Sequence, residues 1–357
     1  MSSIFWSPIN SIMNNKPAGT VVIGKPGSGK TFFLLNIAVN CLLTSCRIIY
    51  LDPKNDSKVL VNIAPNIKLT NVNDITPGAL NPFKVFKDVT TNSILSIISC
   101  ICGTLTDEQM VAVSPIVNDF VIKNNRNKEH VTFSMLADYL YASENEYAQT
   151  IGTTLKINED SKYGKLIFSN NDSSFKFNTK KSEVISLLGM ELPKYTTTKL
   201  NQDEKFSSAI VYIICKILRE TLTEDSKIPT VLIVDEAHIL FSNPSISDII
   251  WEFLTMGRSL NVCTILASQN ISKFPDGIEQ LIASKFMFNS SGTEAMEFLD
   301  RFDSSSAGDK FNRSSIKEYI GNVDIGTCFF IDNKNRGGFI KIKSNLGVTS
   351  NPLFKDR

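Results

Sequence analysis

The sequence predicts an α/β fold in which a central, mostly parallel sheet is covered by helices and interrupted by a mostly helical insertion. Three observations carry this expectation. The β-branched run Thr20-Val21-Val22-Ile23 is followed by a glycine-rich loop and then by the apolar-rich residues 32–43, which reads as strand, loop and helix. Arg47-Ile48-Ile49-Tyr50-Leu51 follows as a second buried strand ending at Asp52-Pro53, so the chain opens as a βαβ unit, the building block of parallel sheets. The sheet signal then returns at Val231-Leu232-Ile233-Val234-Asp235, at Val262-Cys263-Thr264-Ile265-Leu266-Ala267 and at Lys285-Phe286-Met287-Phe288.

More than a hundred residues of different character separate the second strand from Val231. Leu95, Ile98 and Ile101, then residues 110–121 and 133–141, show apolar spacing near 3.6, with Asn, Lys and Ser at the breaks. The chain therefore divides into an N-terminal part of the core (1–83), a mostly helical insertion (84–226) and a C-terminal part of the core (227–357). In the last part, Ile246, Ile249, Ile250, Phe253 and Leu254 form one stripe suited to packing on a sheet. Residues 326–332 and 337–342, joined by Asn333-Lys334-Asn335-Arg336, read as a closing hairpin.

Composition narrows the function classes. At 357 residues, 42% hydrophobic and 20% charged, the chain is long enough to bury a core without disulfide or metal staples, and it is neither collagen-like nor disordered. A formal charge of +1 means that no whole-molecule field draws it to DNA or to an anionic membrane, so any nucleic-acid contact is local. Seven scattered cysteines without a CxxC pair read as reduced core thiols of a cytosolic protein, and two histidines, His130 and His238, are too few for a His-rich metal site. Residues 1–13 lack a basic stretch followed by an apolar one, as a secretion signal would have. Apolar runs such as 209–218, interrupted by Lys216, fall short of the ~20 residues a membrane span needs. Work at a membrane would require recruitment by a partner.

The chemistry concentrates at strand ends. Gly24-Lys25-Pro26-Gly27-Ser28-Gly29-Lys30-Thr31 fits the G-x-x-x-x-G-K-[ST] phosphate loop in its required place after a strand and before a helix. Glycines let backbone amides converge on phosphate oxygens, Lys30 reaches the β/γ-phosphates, and Thr31 holds Mg²⁺. The cofactor-binding set is Gly24, Gly27, Ser28, Gly29, Lys30, Thr31 and Phe32, with Asp52 at the neighbouring strand end, and the fold class becomes a P-loop NTPase. Asp235 and Glu236 end an apolar strand at the edge where open α/β sheets bind ligands: Asp235 completes the Mg²⁺ shell through water and Glu236 polarises the attacking water, which makes the chain a hydrolase of ATP or GTP and not a passive binder. Alone, such a pair reads as a helix cap. Gln269, just past the strand at 262, can sense the γ-phosphate. Arg258, eleven positions earlier, is either a helix C-terminal cation or a finger serving a neighbouring subunit. His238 reads as a packed residue, Asp52-Pro53-Lys54 as a turn or a nucleotide-side element, and residues 123–128 with Lys180-Lys181 as solvated charges.

These motifs, together with Leu80-Asn81-Pro82-Phe83, Ile233 to His238, and Gly257-Arg258-Ser259-Leu260-Asn261-Val262 running to Gln269, resemble the ATPase domain of VirB/TraC/TraE-type secretion ATPases, within the FtsK–HerA class of pumping ATPases. Weaker similarities at Leu105 to Gln109, Phe133 to Leu136, Tyr163 to Phe168 before a strand, and around Arg336 extend the resemblance over nearly the whole chain. It implies a RecA/FtsK–HerA-like core and nucleotide and metal at Lys30 and Thr31. It also implies hydrolysis at Asp235 and Glu236, γ-phosphate sensing by Gln269, and Arg258 acting in trans with Arg336 as a second cation. The implied assembly is a homo-oligomeric ring, hexamer or pentamer, moving DNA with channel or portal proteins as partners.

Members of that secretion family carry a large domain before the phosphate loop, whereas here 23 residues precede Gly24. Viral genome-packaging ATPases of the same class begin close to the loop, so packaging stands beside conjugation and secretion as an expectation. Two other classes are a monomeric phosphotransferase and a scaffold whose ATP site gates assembly. The Asp235-Glu236 pair favours hydrolysis over phosphoryl transfer, since kinases exclude water.

Overall fold

In the computed structural model the described residues are 6–9, 17–64, 66–125, 130–178, 180–193, 199–303 and 312–343. Most of residues 1–13, read above for a secretion signal, and residues 126–128 of the charged run lie outside them. Nine strands are β1 (Gly19–Ile23), β2 (Arg47–Asp52), β3 (Lys68–Asn71), β4 (Glu183–Ser186), β5 (Thr230–Val234), β6 (Val262–Ser268), β7 (Ile282–Met287), β8 (Thr327–Ile331) and β9 (Gly337–Lys341). They form one sheet in the order β3-β4-β2-β5-β6-β1-β7-β8-β9. The first seven in that order run parallel, and the closing hairpin β8–β9 adds two antiparallel strands at one side. All five expected strands and the hairpin are present.

Helices of eight or more residues are α1 (Lys30–Leu43), α2 (Thr91–Cys102), α3 (Asp107–Asn124), α4 (Phe133–Tyr141), α5 (Glu146–Ile157), α6 (Gln202–Glu224), α7 (Pro244–Met256), α8 (Gly292–Phe302) and α9 (Arg313–Ile320). Period two splits each central strand between two cores. Val22, Ile48, Tyr50, Val231 and Ile233 face α1, packing with Phe33, Leu34, Ile37 and Ala38. Val21, Ile23, Ile49, Leu51, Leu232 and Val234 face the other side, which is covered by α6 and α7. That second core continues into α2 to α5, so residues 84–226 bury their apolar faces against the sheet's own cover. Fully burying a side chain such as Ile210 or Leu218 of α6 is worth roughly 1.5–3 kcal/mol, which accounts for the length of α6 better than its helix propensity does.

Two strands escaped the sequence reading. β3 and β4 have four residues each, too few for alternation to declare itself. The stretch 84–226 is mostly helical, yet it returns β4 to the sheet between β3 and β2. Some motif-level similarities have local causes. Thr106 and Gln109 form a reciprocal capping box that starts α3. Asn81 caps the short helix at Pro82 and donates to the Val131 carbonyl at 2.8 Å. All seven cysteines are free and six are buried, and burial pushes the Cys41, Cys100, Cys102 and Cys215 thiols up to about 12.

Candidate active site

Because β2, β5, β6 and β1 are parallel neighbours in that order, their carboxyl ends deliver Asp52, Asp235, Gln269 and Gly24 to a single edge. The phosphate loop leaves β1 here. A Cβ at Gly24 would lie 2.7 Å from the Phe288 Cβ and 2.8 Å from the Ser28 Oγ, and Gly29 adopts φ +100, so both positions require glycine. The Gly24 amide donates to the Ser268 carbonyl at 3.3 Å and the Lys25 amide to the Asn289 carbonyl at 2.9 Å, which pins the loop to β6 and to the end of β7. Among the described residues, the amides of Gly29, Lys30 and Thr31 find no backbone acceptor, and the Ser28 hydroxyl is buried without a partner. Donors grouped at a helix start suit an anion, so the residues fit a nucleotide phosphate.

Lys30 is buried and its ammonium donates to the carbonyls of Gly24 and of Lys25, the latter at 3.1 Å. Burial lowers its pKa against the pull of Glu236 and Asp235. The Thr31 hydroxyl donates to Asp235 Oδ2 at 3.4 Å. A hydroxyl and a carboxylate oxygen are hard donors, the pair that suits Mg²⁺. Burial, with Glu236 and Asp52 nearby, pushes the Asp235 carboxyl up to about 6.

Glu236 has φ +52, and its carboxylate is almost fully buried. Its Oε1 accepts from the Lys54 ammonium and from Gln269 Nε2, the latter at 2.9 Å. Burial alone would raise the Glu236 pKa, but the two hydrogen bonds and the Lys54 charge outweigh it and hold the carboxyl below its usual value. His238 Nδ1 stands 3.4 Å from Glu236 Oε2 and 3.3 Å from the Ser268 hydroxyl, so the residue read as mere packing borders the site.

Asp52 stands at this same edge, with its carboxylate bonded to the turn after β2. Its fully buried carboxylate accepts from the amides of Lys54, Asn55 and Ser57 at 2.8, 2.9 and 2.7 Å and from the Ser57 hydroxyl at 2.5 Å. The acid is spent on the turn after β2. Arg258 follows α7 and precedes β6, next in the chain to Gly257, where a Cβ would lie 3.4 Å from the Ala18 Cβ, so it stands at the opposite end of the sheet from the loop. Arg336 stands in the β8–β9 turn at that same far end, its guanidinium paired with Asp332 at 2.6 Å. Sequence reasoning missed the Lys54–Glu236 contact and Tyr50, whose buried hydroxyl stands beside the Asp235 carboxylate. Period two was the available signal for Tyr50: it shares the α1 face with Ile233 and Asp235 on the neighbouring strand.

A family model described as an AAA-like domain matches residues 10–346. The chain belongs to the AAA-like domain family. It is thus an AAA-like P-loop ATPase domain. Among curated proteins, the DNA import protein CedB of Sulfolobus acidocaldarius is 23% identical over 270 residues, 75% of this chain and 42% of that protein, so the chain spans less than half of that relative's length. Among solved structures, VirB4 of Thermoanaerobacter pseudethanolicus superposes with a TM-score of 0.69 at 16% identity, covering 92% of this chain and 90% of that one. The plasmid coupling protein TrwB, in complex with a non-hydrolysable ATP analogue, superposes with a TM-score of 0.61 at 18% identity, covering 96% and 89%. At these identities the likeness is one of fold. The AAA-like chain shares that fold over most of its length, in keeping with the resemblance read from its motifs.

Proposed function

We propose that this AAA-like chain is a Mg²⁺-dependent, ATP-hydrolysing ring motor that moves DNA in a conjugation or type IV secretion machine. The observation that carries the reading is the convergence of Lys30, Thr31, Asp235, Glu236 and Gln269 on one sheet edge, with Arg258 and Arg336 at the other.

In this reading Lys30 exchanges the Gly24 and Lys25 carbonyls for β- and γ-phosphate oxygens, alongside the amides of Gly29, Lys30 and Thr31. Thr31 and Asp235 would hold Mg²⁺, which would neutralise charge on the phosphates. Glu236, kept ionised by Lys54 and Gln269, takes the proton of the attacking water; a positioned base of this kind contributes roughly 10²–10⁴ in rate. Gln269 fixes the Glu236 carboxylate and senses the γ-phosphate.

Seven residues of β6 span about 23 Å, so Arg258 is out of reach of its own phosphate loop. A neighbouring copy is what brings such a cation to a site, and a trans arginine is worth about 10³–10⁵ in rate. Arg336 is a second candidate at the same end. We read 84–226 as an insertion subdomain on the α6 and α7 side of the sheet.

DNA as cargo is supported by the name of the CedB relative, a DNA import protein, and by the fold of TrwB, a conjugative coupling protein. Mg²⁺ use is supported by the TrwB complex with ADP and Mg²⁺. No helix among the described residues is long and apolar enough to cross a membrane. We place the motor on the cytoplasmic side, held at a membrane or capsid machine by channel or portal proteins. ATP hydrolysis measured with and without single- and double-stranded DNA across a salt series tests the reading. Stimulation that falls steeply with ionic strength is expected, and a rate unmoved by DNA at low salt points to a protein cargo.

A further inference from the structure

The phosphate-loop reading gives Lys54 a part only through Glu236, whose carboxylate it pairs with before nucleotide enters. The turn that carries it is nonetheless rigid, because the buried Asp52 carboxylate holds the amides of Lys54, Asn55 and Ser57 at once. From that fixed backbone the Lys54 side chain crosses from the end of β2 to the second residue after β5, and its ammonium pairs with Glu236 Oε1. The two partners differ sharply in exposure. The Lys54 side chain is 49% exposed and that of Glu236 is 4% exposed, so the ammonium has one side on a buried carboxylate and the other toward solvent at the sheet edge.

The strand order gives this a consequence. In the row β2-β5-β6-β1, Lys54 flanks the Asp235-Glu236 pair on one side and the loop lysine, Lys30, flanks it on the other. The two ammonium groups are close enough to feel each other's charge. A water activated by Glu236 lies about 2.6–3.2 Å from its carboxylate, and about 3–3.5 Å from the phosphorus it attacks. A cation already bonded to that carboxylate is therefore separated from the terminal phosphoryl group by little more than the attacking water.

We propose that Lys54 is a second phosphate-binding cation, selective for the terminal phosphoryl group of a nucleoside triphosphate, which passes its contact from Glu236 to the γ-phosphate when a triphosphate enters the loop. This rests on the phosphate-loop reading above. Gln269 then remains on Glu236 Oε1, so the base stays oriented while its strongest ion pair is released. A diphosphate ends short of Lys54 and leaves the Lys54–Glu236 pair in place. The loop grips both nucleotides through Lys30; Lys54 distinguishes them.

The test is calorimetric titration of the full chain, with Mg²⁺, by a non-hydrolysable ATP analogue and by ADP, for the unsubstituted protein, Lys54→Gln and Lys54→Arg, with thermal melts to confirm folding. Lys54→Gln is expected to lose roughly 10- to 100-fold in affinity for the triphosphate analogue, the loss of one charge-assisted hydrogen bond, and less than about 2-fold for ADP. Lys54→Arg should recover most of that loss. An equal loss for both nucleotides, or no loss for either with turnover alone reduced, overturns the proposal and leaves Lys54 acting only on Glu236. If the unsubstituted chain binds neither nucleotide, the phosphate-loop reading itself fails, an outcome readily told apart from the other two.

Discussion

Gln269 Nε2 donates to Glu236 Oε1 at 2.9 Å, joining the residue after β6 to the second residue after β5 across the sheet edge that carries the phosphate loop. Glu236 has a left-handed backbone, φ +52, which costs a non-glycine residue on the order of 1 kcal/mol and persists where the surroundings overdetermine it. Lys54, Gln269 and the Asp235 side chain, which accepts from the Glu236 amide at 3.0 Å, supply that determination. The carboxylate is thereby aimed before any substrate arrives.

Lys30→Ala or Glu236→Gln should abolish ATP turnover, and Glu236→Gln should do so while still binding ATP. Phosphate-release assays paired with nucleotide binding measure both. Undiminished hydrolysis in both variants would falsify the site assignment.

Gln269→Ala should reduce kcat by about 10- to 100-fold, because it removes the hydrogen bond that orients the Glu236 carboxylate during turnover. KM for ATP should change little. A variant with raised KM and unchanged kcat would place Gln269 on the nucleotide instead of on Glu236.

Asp235→Asn should stabilise the nucleotide-free protein at neutral pH. The folded carboxyl titrates near 6 against an ordinary value of 3.8, so between those values the folded state keeps a proton that the unfolded state has released. Stability from this group is therefore greatest below about pH 4, declines as the pH rises through 6, and above that amounts to a constant cost on the order of 3 kcal/mol. Asparagine removes the charge at the expense of one of the two hydrogen bonds to Oδ1 and Oδ2, so the net gain is smaller. Thermal melts of both proteins from pH 4 to 8 without divalent cation should show the advantage of the variant growing with pH; a flat difference would contradict it.

Arg258→Ala should behave as a defect shared between subunits. Mixed with Lys30→Ala chains, it should recover part of the lost ATPase activity, since some interfaces then pair an intact loop with an intact arginine. No recovery at any mixing ratio would argue against a shared site.

Asp52→Ala should destabilise the fold by roughly 3 kcal/mol or more, because it strands the Lys54, Asn55 and Ser57 donors around a buried position. Denaturant unfolding measures it. A stability change near zero with weakened ATP binding would return Asp52 to the nucleotide side.

Much of the site was readable one segment at a time. The loop from Gly24 to Thr31, the acids after β5 and Gln269 after β6 each announce themselves through a short motif following an apolar strand, and α7 through its stripe from Ile246 to Leu254. β3 and β4 did not, since four-residue strands stand out only against the partner they pair with. The parts of Asp52 and Lys54 were equally hidden: a Pro-turn with two charges looks alike whether its acid caps its own backbone or meets a ligand.

Local chemistry along the chain thus settled the class of fold and marked the phosphate loop and the acids and amide proposed to serve it, because those depend on residues within a few positions of one another. The strand order belongs to the folded molecule alone. It places β6 between β1 and β5, sends Arg258 and Arg336 to the far edge, and sets Lys54 against Glu236 across 182 positions of chain. Such meetings follow from which apolar faces bury against which, a competition among all segments at once that no single stretch of sequence records.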